Sequence, residues 1–116
     1  MNLSIIIPVY NSENILANLV DKIHESSKTE SFPKKFEIIL VNDFSFDKSW
    51  EKIKLISNKY ENVLGINLDK NYGQHNAIMA GLNECSGDII ITMDDDLQHP
   101  PESIENIYYE LNKKNF

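Results

Sequence analysis

Four short runs of apolar, largely β-branched residues recur along the chain, and a stretch with helical spacing of apolar residues follows each of them. The runs are residues 3–7, 36–41, 63–68 and 89–93. Pro8 has no N–H to give to a sheet and is expected to end the first strand. Strands separated by helices are typically joined by right-handed crossovers and pair in parallel. The alternation therefore predicts an α/β fold: a parallel sheet of about four strands with flanking helices.

Three of the helical stretches begin near a residue suited to a first turn. Asn11 or Ser12 is the expected N-cap of the first helix and Asp47 that of the second, while Pro100 and Pro101 open the last. The apolar positions at helical spacing are Ile15, Leu16, Leu19, Val20 and Ile23, then Trp50, Ile53, Leu55 and Ile56, and finally Ile104, Ile107, Tyr108 and Leu111.

The third helix, expected over residues 74–85, is rich in small side chains. Ala77, Ala80 and Gly81 give it a face that packs close to a sheet, at a cost in helix propensity of up to about 1 kcal/mol for the glycine. Cys85 is the only cysteine and is expected as a small, buried residue at the end of this helix. A single cysteine leaves no intrachain disulfide and indicates a reducing compartment.

Three consecutive aspartates, Asp94, Asp95 and Asp96, follow the fourth apolar run. No lysine or arginine occurs between residues 71 and 112, so these carboxylates have no cationic neighbour in the sequence. Two such charges about 4 Å apart repel by roughly 4 kcal/mol at an effective dielectric constant of 20. A divalent cation bound together with a phosphate-bearing substrate is the most economical way to neutralise them.

The spacing of the aspartates separates their roles. In extended backbone, Asp94 and Asp96 point to the same side, roughly 7 Å apart along the chain. Gln98 continues this series with a neutral oxygen that suits a hard cation, whereas Asp95 points the other way and is expected to be a turn residue. The alternative is that the whole cluster is a solvated turn before a helix N-terminus, where acidic residues are favourable in any case.

Polar residues follow the first and second apolar runs as well. The sequence around Tyr10 and Asn11 follows the first, and Asn42, Asp43 and Asp47 follow the second. Parallel strands bring their carboxyl ends to one edge of the sheet, where open α/β sheets bind ligands. The carboxylate of Asp43 suits a base N–H or ribose hydroxyls; the alternative is that Asp43 and Asp47 are turn and cap residues.

Composition narrows the choice of partner. The chain has 116 residues, a net charge of −7, and eleven cations that are all lysine. A nucleic-acid backbone is therefore disfavoured as a partner, and a phosphate finds no bidentate guanidinium here. Neither a Gly-x-Gly-x-x-Gly nor a Gly-x-x-x-x-Gly-Lys motif is present, which disfavours the folds that use them. The histidines lack metal-ligand spacing: His24 is expected at the surface, with His75 and His99 near the ligand-binding edge.

The chain contains no secretory signal and no apolar run approaching the length of about 20 residues that a spanning helix needs. A cytoplasmic location is therefore expected. The chain stops at Phe116, directly after the last predicted helix. This predicts the amino-terminal part of a longer protein; a marginal stand-alone domain stabilised by self-association is the alternative.

Four motifs in a fixed order resemble the amino-terminal half of family 2 glycosyltransferases with the GT-A fold. They are S-I-I-I-P-V-Y-N at 4–11, I-L-V-N-D-F-S-F-D-K-S at 39–49, N-Y-G-Q-H-N-A-I-M-A-G-L at 71–82 and G-D-I-I-I-T-M-D-D-D-L-Q-H-P-P-E at 87–102. The subset that the chain resembles most is the polyprenyl-phosphate glycosyltransferases similar to dolichol-phosphate-mannose synthase. The resemblance spans nearly the whole chain.

The resemblance implies a nucleotide-sugar site, and residues 1–116 would be its nucleotide-sugar-binding part. The residues implied to contact the nucleotide are Pro8, Tyr10, Asn11, Asp43, Gly73, Ala77 and Asp94; those implied to bind Mg²⁺ or Mn²⁺ are Asp94, Asp96 and Gln98. The chain departs from the family's usual sequence at two positions. Phe44 stands where many members have glycine, and Asn42 replaces a frequent aspartate, which leaves that position without an assigned role.

The implied reaction transfers a sugar from a UDP- or GDP-sugar to an acceptor, with inversion at the anomeric carbon. In the subset named above the acceptor is a polyprenyl phosphate, and the full-length protein would then associate with the cytoplasmic face of a membrane. Two alternatives remain: a nucleotidyltransferase, which is also α/β with acidic metal ligands, and a non-catalytic nucleotide-binding or interaction module.

Overall fold

The structure is a computed structural model and describes residues 2–29 and 32–93. Strands and helices alternate in the predicted order. Their bounds are β1 (Asn2–Val9), α1 (Leu16–Ser26), β2 (Lys35–Asn42), α2 (Ser49–Lys59), β3 (Val63–Asn67), α3 (Gln74–Glu84) and β4 (Ile89–Thr92). The helix expected after Pro100 and Pro101 lies outside the described residues.

All four strands are parallel and follow the order β3-β2-β1-β4. β1 is the central strand, and each of its residues from Leu3 to Val9 is buried. Such a continuous apolar run is typical of a parallel strand that is covered on both faces. The α/β fold class predicted from the sequence is confirmed.

Helices cover both faces of the sheet. On one face, residues of α1 and α2 share one core cluster with the odd-numbered side chains of β1, such as Ile5 and Ile7. On the other, Ala77 of α3 packs against Ile6, and Val41 of β2 joins the same cluster. The chain crosses the sheet in one direction from β1 to β3 and then returns past β1 to form β4. Crossover connections between parallel strands are right-handed. Two crossovers that run in opposite directions along the sheet therefore place their helices on opposite faces.

Pro8 does not end β1, which continues to Val9, so this prediction was wrong. The carbonyl groups of Asn2 and Ile6 accept hydrogen bonds from Asp88 and Met93 on the β4 side, so the even-numbered backbone groups of β1 face β4. The backbone of Pro8 faces the same way. The last β1–β4 pair that the structure describes is Ile6 with Thr92, so Pro8 lies beyond this pairing. Its missing N–H therefore costs no hydrogen bond to β2.

Other local expectations also failed. α1 begins at Leu16 without a side-chain cap, because Asn11 and Ser12 are used in other contacts described below. Cys85, expected as a buried residue at the end of the third helix, is half-buried and lies just after α3. Phe32, in the connection between α1 and β2, is fully packed into the core.

Among the strands of residues 2–29 and 32–93, β4 lies at one edge of the sheet and is half-buried. Ile89 and Ile91 are buried, whereas Ile90 and Thr92 are exposed. In the part of the chain that the structure describes, β4 pairs with β1 alone, and α3 packs mainly on β1 and β2. Its position near an exposed edge agrees with the sequence-based expectation.

Replacing Gly81 with alanine tests the close approach of α3 to the sheet. A Cβ atom at this position would lie 2.5 Å from Cγ2 of Ile6. We expect Gly81→Ala to lower the free energy of unfolding by about 1–2 kcal/mol, because overpacking outweighs the gain in helix propensity. Urea unfolding measures this, with Asn83→Ala at an exposed position of α3 as the control. Wild-type stability of Gly81→Ala would contradict the packing described here.

Glu37 ties together the amino-terminal ends of three strands. Its Oε2 accepts hydrogen bonds from the hydroxyl of Ser4 (2.5 Å), the backbone N–H of Ser86 (2.6 Å) and the hydroxyl of Ser86 (3.1 Å). The N–H of Gly87 donates to Ser4 Oγ at 2.8 Å. Burial acts to raise the pKa of Glu37, but the hydrogen bonds from Ser4 and Ser86 outweigh it, so this pKa lies below its ordinary value of 4.5.

The lowered pKa of Glu37 makes part of the stability depend on pH. Its stabilising contribution is complete above the unfolded-state pKa, near 4.5, and is lost as the pH falls through the lower folded-state pKa. We expect Glu37→Gln to cost roughly 1 to 3 kcal/mol at neutral pH and to flatten the acid limb of a stability–pH curve. Urea unfolding at a series of pH values checks this, with the exposed Glu61→Gln as the control. An unchanged acid limb would refute it.

Candidate functional site

The carboxyl ends of the four strands meet at one edge of the sheet, which we call the carboxyl rim. It consists of residues 9–13, 42–49 and 67–74, together with Met93 at the end of β4. The crossover that leaves β1 runs on one face of the sheet, and the crossover that leads into β4 runs on the other. Because β1 and β4 are neighbours, the strand order reverses between them. In open α/β sheets, ligands bind outside the carboxyl ends of the strands at such a point.

Asn11 joins the loop after β1 to the loop after β2. Its backbone lies in the left-handed region (φ 52°), which asparagine tolerates better than most residues. Its N–H donates to Ser45 Oγ at 3.0 Å, and its Oδ1 accepts the N–H of Phe46 at 2.9 Å. The side chain is therefore used to hold the rim together, which explains why it does not cap α1.

Ser12 and Asp47 form a second connection between the same loops. The N–H of Ser12 donates to Ser49 Oγ at 2.8 Å, and the N–H of Glu13 donates to Asp47 Oδ2 at 3.1 Å. Asp47 Oδ1 accepts the N–H of Ser49, the first residue of α2, at 2.9 Å. Burial acts to raise the pKa of Asp47, but the hydrogen bonds from Ser49 and Glu13 lower it overall. Asp47 thus acts at the start of α2, although the N-cap position itself is Lys48.

Asn42 had no role assigned from the sequence. In the structure it is buried and forms hydrogen bonds that connect two parts of the rim. Its Nδ2 donates to Asn67 Oδ1 at 2.8 Å, and its Oδ1 accepts the hydroxyl (2.6 Å) and N–H (3.3 Å) of Ser45. Asparagine can donate and accept at once, which a carboxylate cannot do. The sequence carried only part of the signal, an asparagine near the end of each of two apolar runs. Their pairing in the sheet register comes from the structure.

Asp43 is buried and holds the loop that precedes α3. Its Oδ1 accepts the N–H of Tyr72 at 2.8 Å, and its Oδ2 accepts the N–H of Gly73 at 3.1 Å. Gly73 adopts a φ of 90°, a conformation that side chains rarely allow. A carboxylate has about four lone-pair positions, so Asp43 keeps acceptor capacity for a ligand while it fixes the loop.

The other predicted nucleotide contacts lie at different depths. Tyr10 is half-exposed on the rim, whereas Pro8 is buried within β1 beneath it. Ala77 is fully buried against the sheet, so here it is a packing residue. The structure therefore brings Tyr10, Asn11, Asp43 and Gly73 together at the rim. Contact of any of them with a nucleotide stays a prediction.

The predicted metal ligands Asp94, Asp96 and Gln98 lie outside the described residues, and so does His99. Within residues 2–29 and 32–93, no group of three His, Cys, Asp or Glu side chains could hold a metal ion. The N–H of Met93 donates to the carbonyl group of Ile6 at 3.0 Å, so hydrogen bonding between β1 and the end of β4 continues to the last residue before the aspartates.

His75 lies near the carboxyl rim, exposed in the first turn of α3, as expected. His24 was expected at the surface and is instead half-buried at the opposite end of the sheet. Its ring stacks on Tyr60 with centroids 3.7 Å apart. Its two nitrogens contact the carbonyl group of Val20 (2.9 Å) and Asn62 Oδ1 (3.0 Å). These contacts give His24 a structural role.

A parallel sheet wound on both faces defines the doubly wound class of α/β domains, whose ligands bind where the strand order reverses. Residues 4–116 match the family description "Glycosyl transferase family 2". Because the match spans almost the whole chain, the chain belongs to this family, as the sequence motifs predicted.

Similar proteins include the undecaprenyl-phosphate 4-deoxy-4-formamido-L-arabinose transferase of Yersinia enterocolitica, 47% identical over 105 residues. The enzyme of the same name from Proteus mirabilis is 45% identical over 105 residues. Each alignment covers 90% of this chain but 32% of the relative. The chain thus spans about a third of the length of these relatives.

Solved structures share the fold. A mannosyltransferase from Pyrobaculum calidifontis, in complex with GDP-Man and Mn²⁺, superposes with a TM-score of 0.80 at 20% identity, over 94% of this chain and 32% of its own. Residues 1–349 of S. aureus TarS, in complex with UDP, give 0.77 at 23% identity, over 97% of this chain and 32% of its own. The GT-A fold expected from the motifs is confirmed. In residues 2–29 and 32–93, no helix is long and apolar enough to cross a membrane.

Asp43→Asn tests whether Asp43 fixes the loop before α3. An amide offers one acceptor oxygen and turns its NH₂ group towards a backbone N–H, so one of the two loop contacts is lost. We expect the free energy of unfolding to fall by about 1–3 kcal/mol, measured by urea unfolding. Asp69→Asn, in the same loop and exposed, keeps an oxygen for the Tyr72 hydroxyl and should change little. Equal stability of the two variants would contradict this role.

Proposed function

We propose that the protein carrying this chain transfers a sugar from a nucleoside-diphosphate sugar to a polyprenyl phosphate, and that residues 1–116 form its nucleotide-sugar-binding part. The observation that carries the proposal is the carboxyl rim of a family 2 domain, where a buried Asp43 with spare acceptor capacity follows β2 and lies beside β1, the strand that borders the reversal. The names of the relatives that are 45% and 47% identical support the lipid phosphate acceptor.

The nucleoside would bind at the part of the rim formed by Tyr10, Asn11 and Asp43. The carboxylate of Asp43 would accept a hydrogen bond from a base N–H or a ribose hydroxyl, through the lone pairs that Tyr72 and Gly73 leave unused. Since backbone N–H groups already fix this carboxylate, it needs little reorganisation when the ligand arrives. Gly73 would let the loop approach the ligand closely.

The diphosphate would lie near the end of β4. Asp94, Asp96 and Gln98 supply two carboxylates and an amide oxygen, a donor set that suits Mg²⁺ or Mn²⁺, and no arginine is present in the chain to bind phosphate instead. The solved structure with GDP-Man and Mn²⁺ supports this pairing of nucleotide and metal in a similar fold. When bound, the ion supplies Lewis-acid stabilisation of the departing diphosphate.

The transfer would be a single displacement at the anomeric carbon. A phosphate oxygen of the acceptor forms the new bond as the bond from the anomeric carbon to the diphosphate oxygen breaks, and the nucleoside diphosphate leaves. Attack from the face opposite the leaving group inverts the configuration. The acceptor phosphate is already an anion, so this step needs no general base. Because the acceptor is a lipid, we infer that the reaction takes place at the cytoplasmic face of a membrane.

Calorimetric titration of UDP and GDP, with and without Mn²⁺, tests this function in the protein at its natural length. We expect metal-dependent binding of at least one of them. Asp94→Ala and Asp96→Ala should each weaken it by at least about tenfold, since even partners of metal ligands contribute that much. Asp95→Ala is the matched control and should bind as the wild type does. Absence of metal-dependent binding, or an equal loss in all three variants, would refute the proposal.

A further inference from the structure

Three aromatic side chains form an exposed cluster on the carboxyl rim, which we call the aromatic rim cluster. Tyr10, Phe44 and Phe46 are 43%, 44% and 78% exposed. Phe46 lies between the other two: its ring centroid is 6.3 Å from that of Tyr10 and 6.0 Å from that of Phe44, and both pairs are edge-to-face. A contiguous apolar patch on a surface usually marks a binding site, whereas scattered apolar residues need no explanation.

The backbone conformation at position 44 does not favour a phenylalanine, so folding alone does not explain why this residue is there. Its φ of 55° lies in the left-handed region, where a bulky residue carries a steric penalty and glycine carries none. The surrounding turn enforces this conformation: Ser45 binds Asn42 Oδ1, and the N–H of Phe46 binds Asn11 Oδ1. The turn therefore needs a left-handed residue at position 44, but nothing in its backbone needs a phenyl ring there.

The chemistry around the cluster points to one kind of ligand. Phe44 directly follows Asp43, and the two phenylalanines lie between Asp43 and Asp47, with Lys48 as the single cation of residues 42–49. An anionic lipid surface attracts basic segments and would be repelled here, in a chain with a net charge of −7. A planar, uncharged heteroaromatic ring meets no such repulsion, and aromatic side chains stack on every nucleobase.

We propose that Phe44, supported by the edge contact of Phe46, stacks on the nucleobase of the donor. This rests on the function proposed above and adds a base-binding surface that the turn holds in place. The hydrogen bonds of Asn11 and Asn42 fix the turn before the ligand arrives, so little ordering of the Phe44 backbone is needed on binding. In this arrangement Asp43 binds the polar edge of the nucleoside, and Phe44 binds the face of its base.

The test compares ligands with and without a base, in the protein at its natural length and with Mn²⁺ present. UDP and GDP carry a base, whereas ribose 5-diphosphate keeps the sugar and the diphosphate alone. We expect Phe44→Gly to weaken UDP and GDP binding by about 5- to 100-fold and to change ribose 5-diphosphate binding less than about twofold. Phe44→Tyr keeps the ring and should restore affinity. Phe46→Ser should weaken nucleotide binding less than Phe44→Gly does.

Two further measurements separate stacking from a structural role. The base protons of bound UDP should show an upfield ring-current shift in NMR spectra, and Phe44→Gly should remove it. Thermal unfolding of Phe44→Gly should occur at or above the wild-type temperature, because glycine relieves the left-handed strain. Leu55→Ser, at an exposed apolar position on α2, is the control and should leave binding unchanged.

The possible failures can be told apart. If UDP and GDP bind the wild type and Phe44→Gly equally well, the stacking proposal is wrong and the nucleotide-binding function stands. If Phe44→Gly weakens all three ligands by the same factor, the ring acts through the shape of the loop, and stacking is again refuted. If the wild type binds none of the three, both the stacking proposal and the function on which it rests are wrong.

Discussion

The parallel pairing of β1 with β2 on one side and β4 on the other is the constraint on which the rest of the structure depends. β1 is buried from Leu3 to Val9, so both of its faces must be covered, and helices on the two faces require the chain to reverse its direction across the sheet. That reversal places the ends of β1 and β4 side by side. The same pairing that completes the core therefore creates the edge at which a ligand can bind.

The carboxyl rim is held by side chains that look, in the sequence, like loop residues. Asn42 and Asp43 are buried, and buried polar groups need partners. They find them in Ser45, Asn67 and the N–H groups of Tyr72 and Gly73. The loops after β1, β2 and β3 thereby become one connected unit. A rim fixed in this way suits a site whose polar groups must stay in place while ligands come and go.

The errors in the sequence-based predictions have a common origin. Apolar runs, helical spacing and a stretch of small residues located all seven described strands and helices, because burial leaves a local pattern in the sequence. The predictions that failed depended on partners that are distant in the sequence. They are the caps at Asn11 and Ser12, the end of β1 at Pro8 and the surface position of His24. Asn11 bonds with Ser45 and Phe46, and His24 with Asn62. Pro8 is tolerated because its backbone faces the β4 side, beyond the last β1–β4 pair that the structure describes. No local pattern encodes those contacts.

The sequence by itself determined the fold class, the order of strands and helices, the family, and the set of polar residues that follow the strands. It could do so because these properties follow from local spacing and from motifs of adjacent residues. Only the tertiary structure decided the strand order, the buried roles of Asn42 and Asp43, and the exposed cluster of Tyr10, Phe44 and Phe46. These depend on which backbone groups meet across the sheet register, and that is settled by packing among residues far apart in the chain.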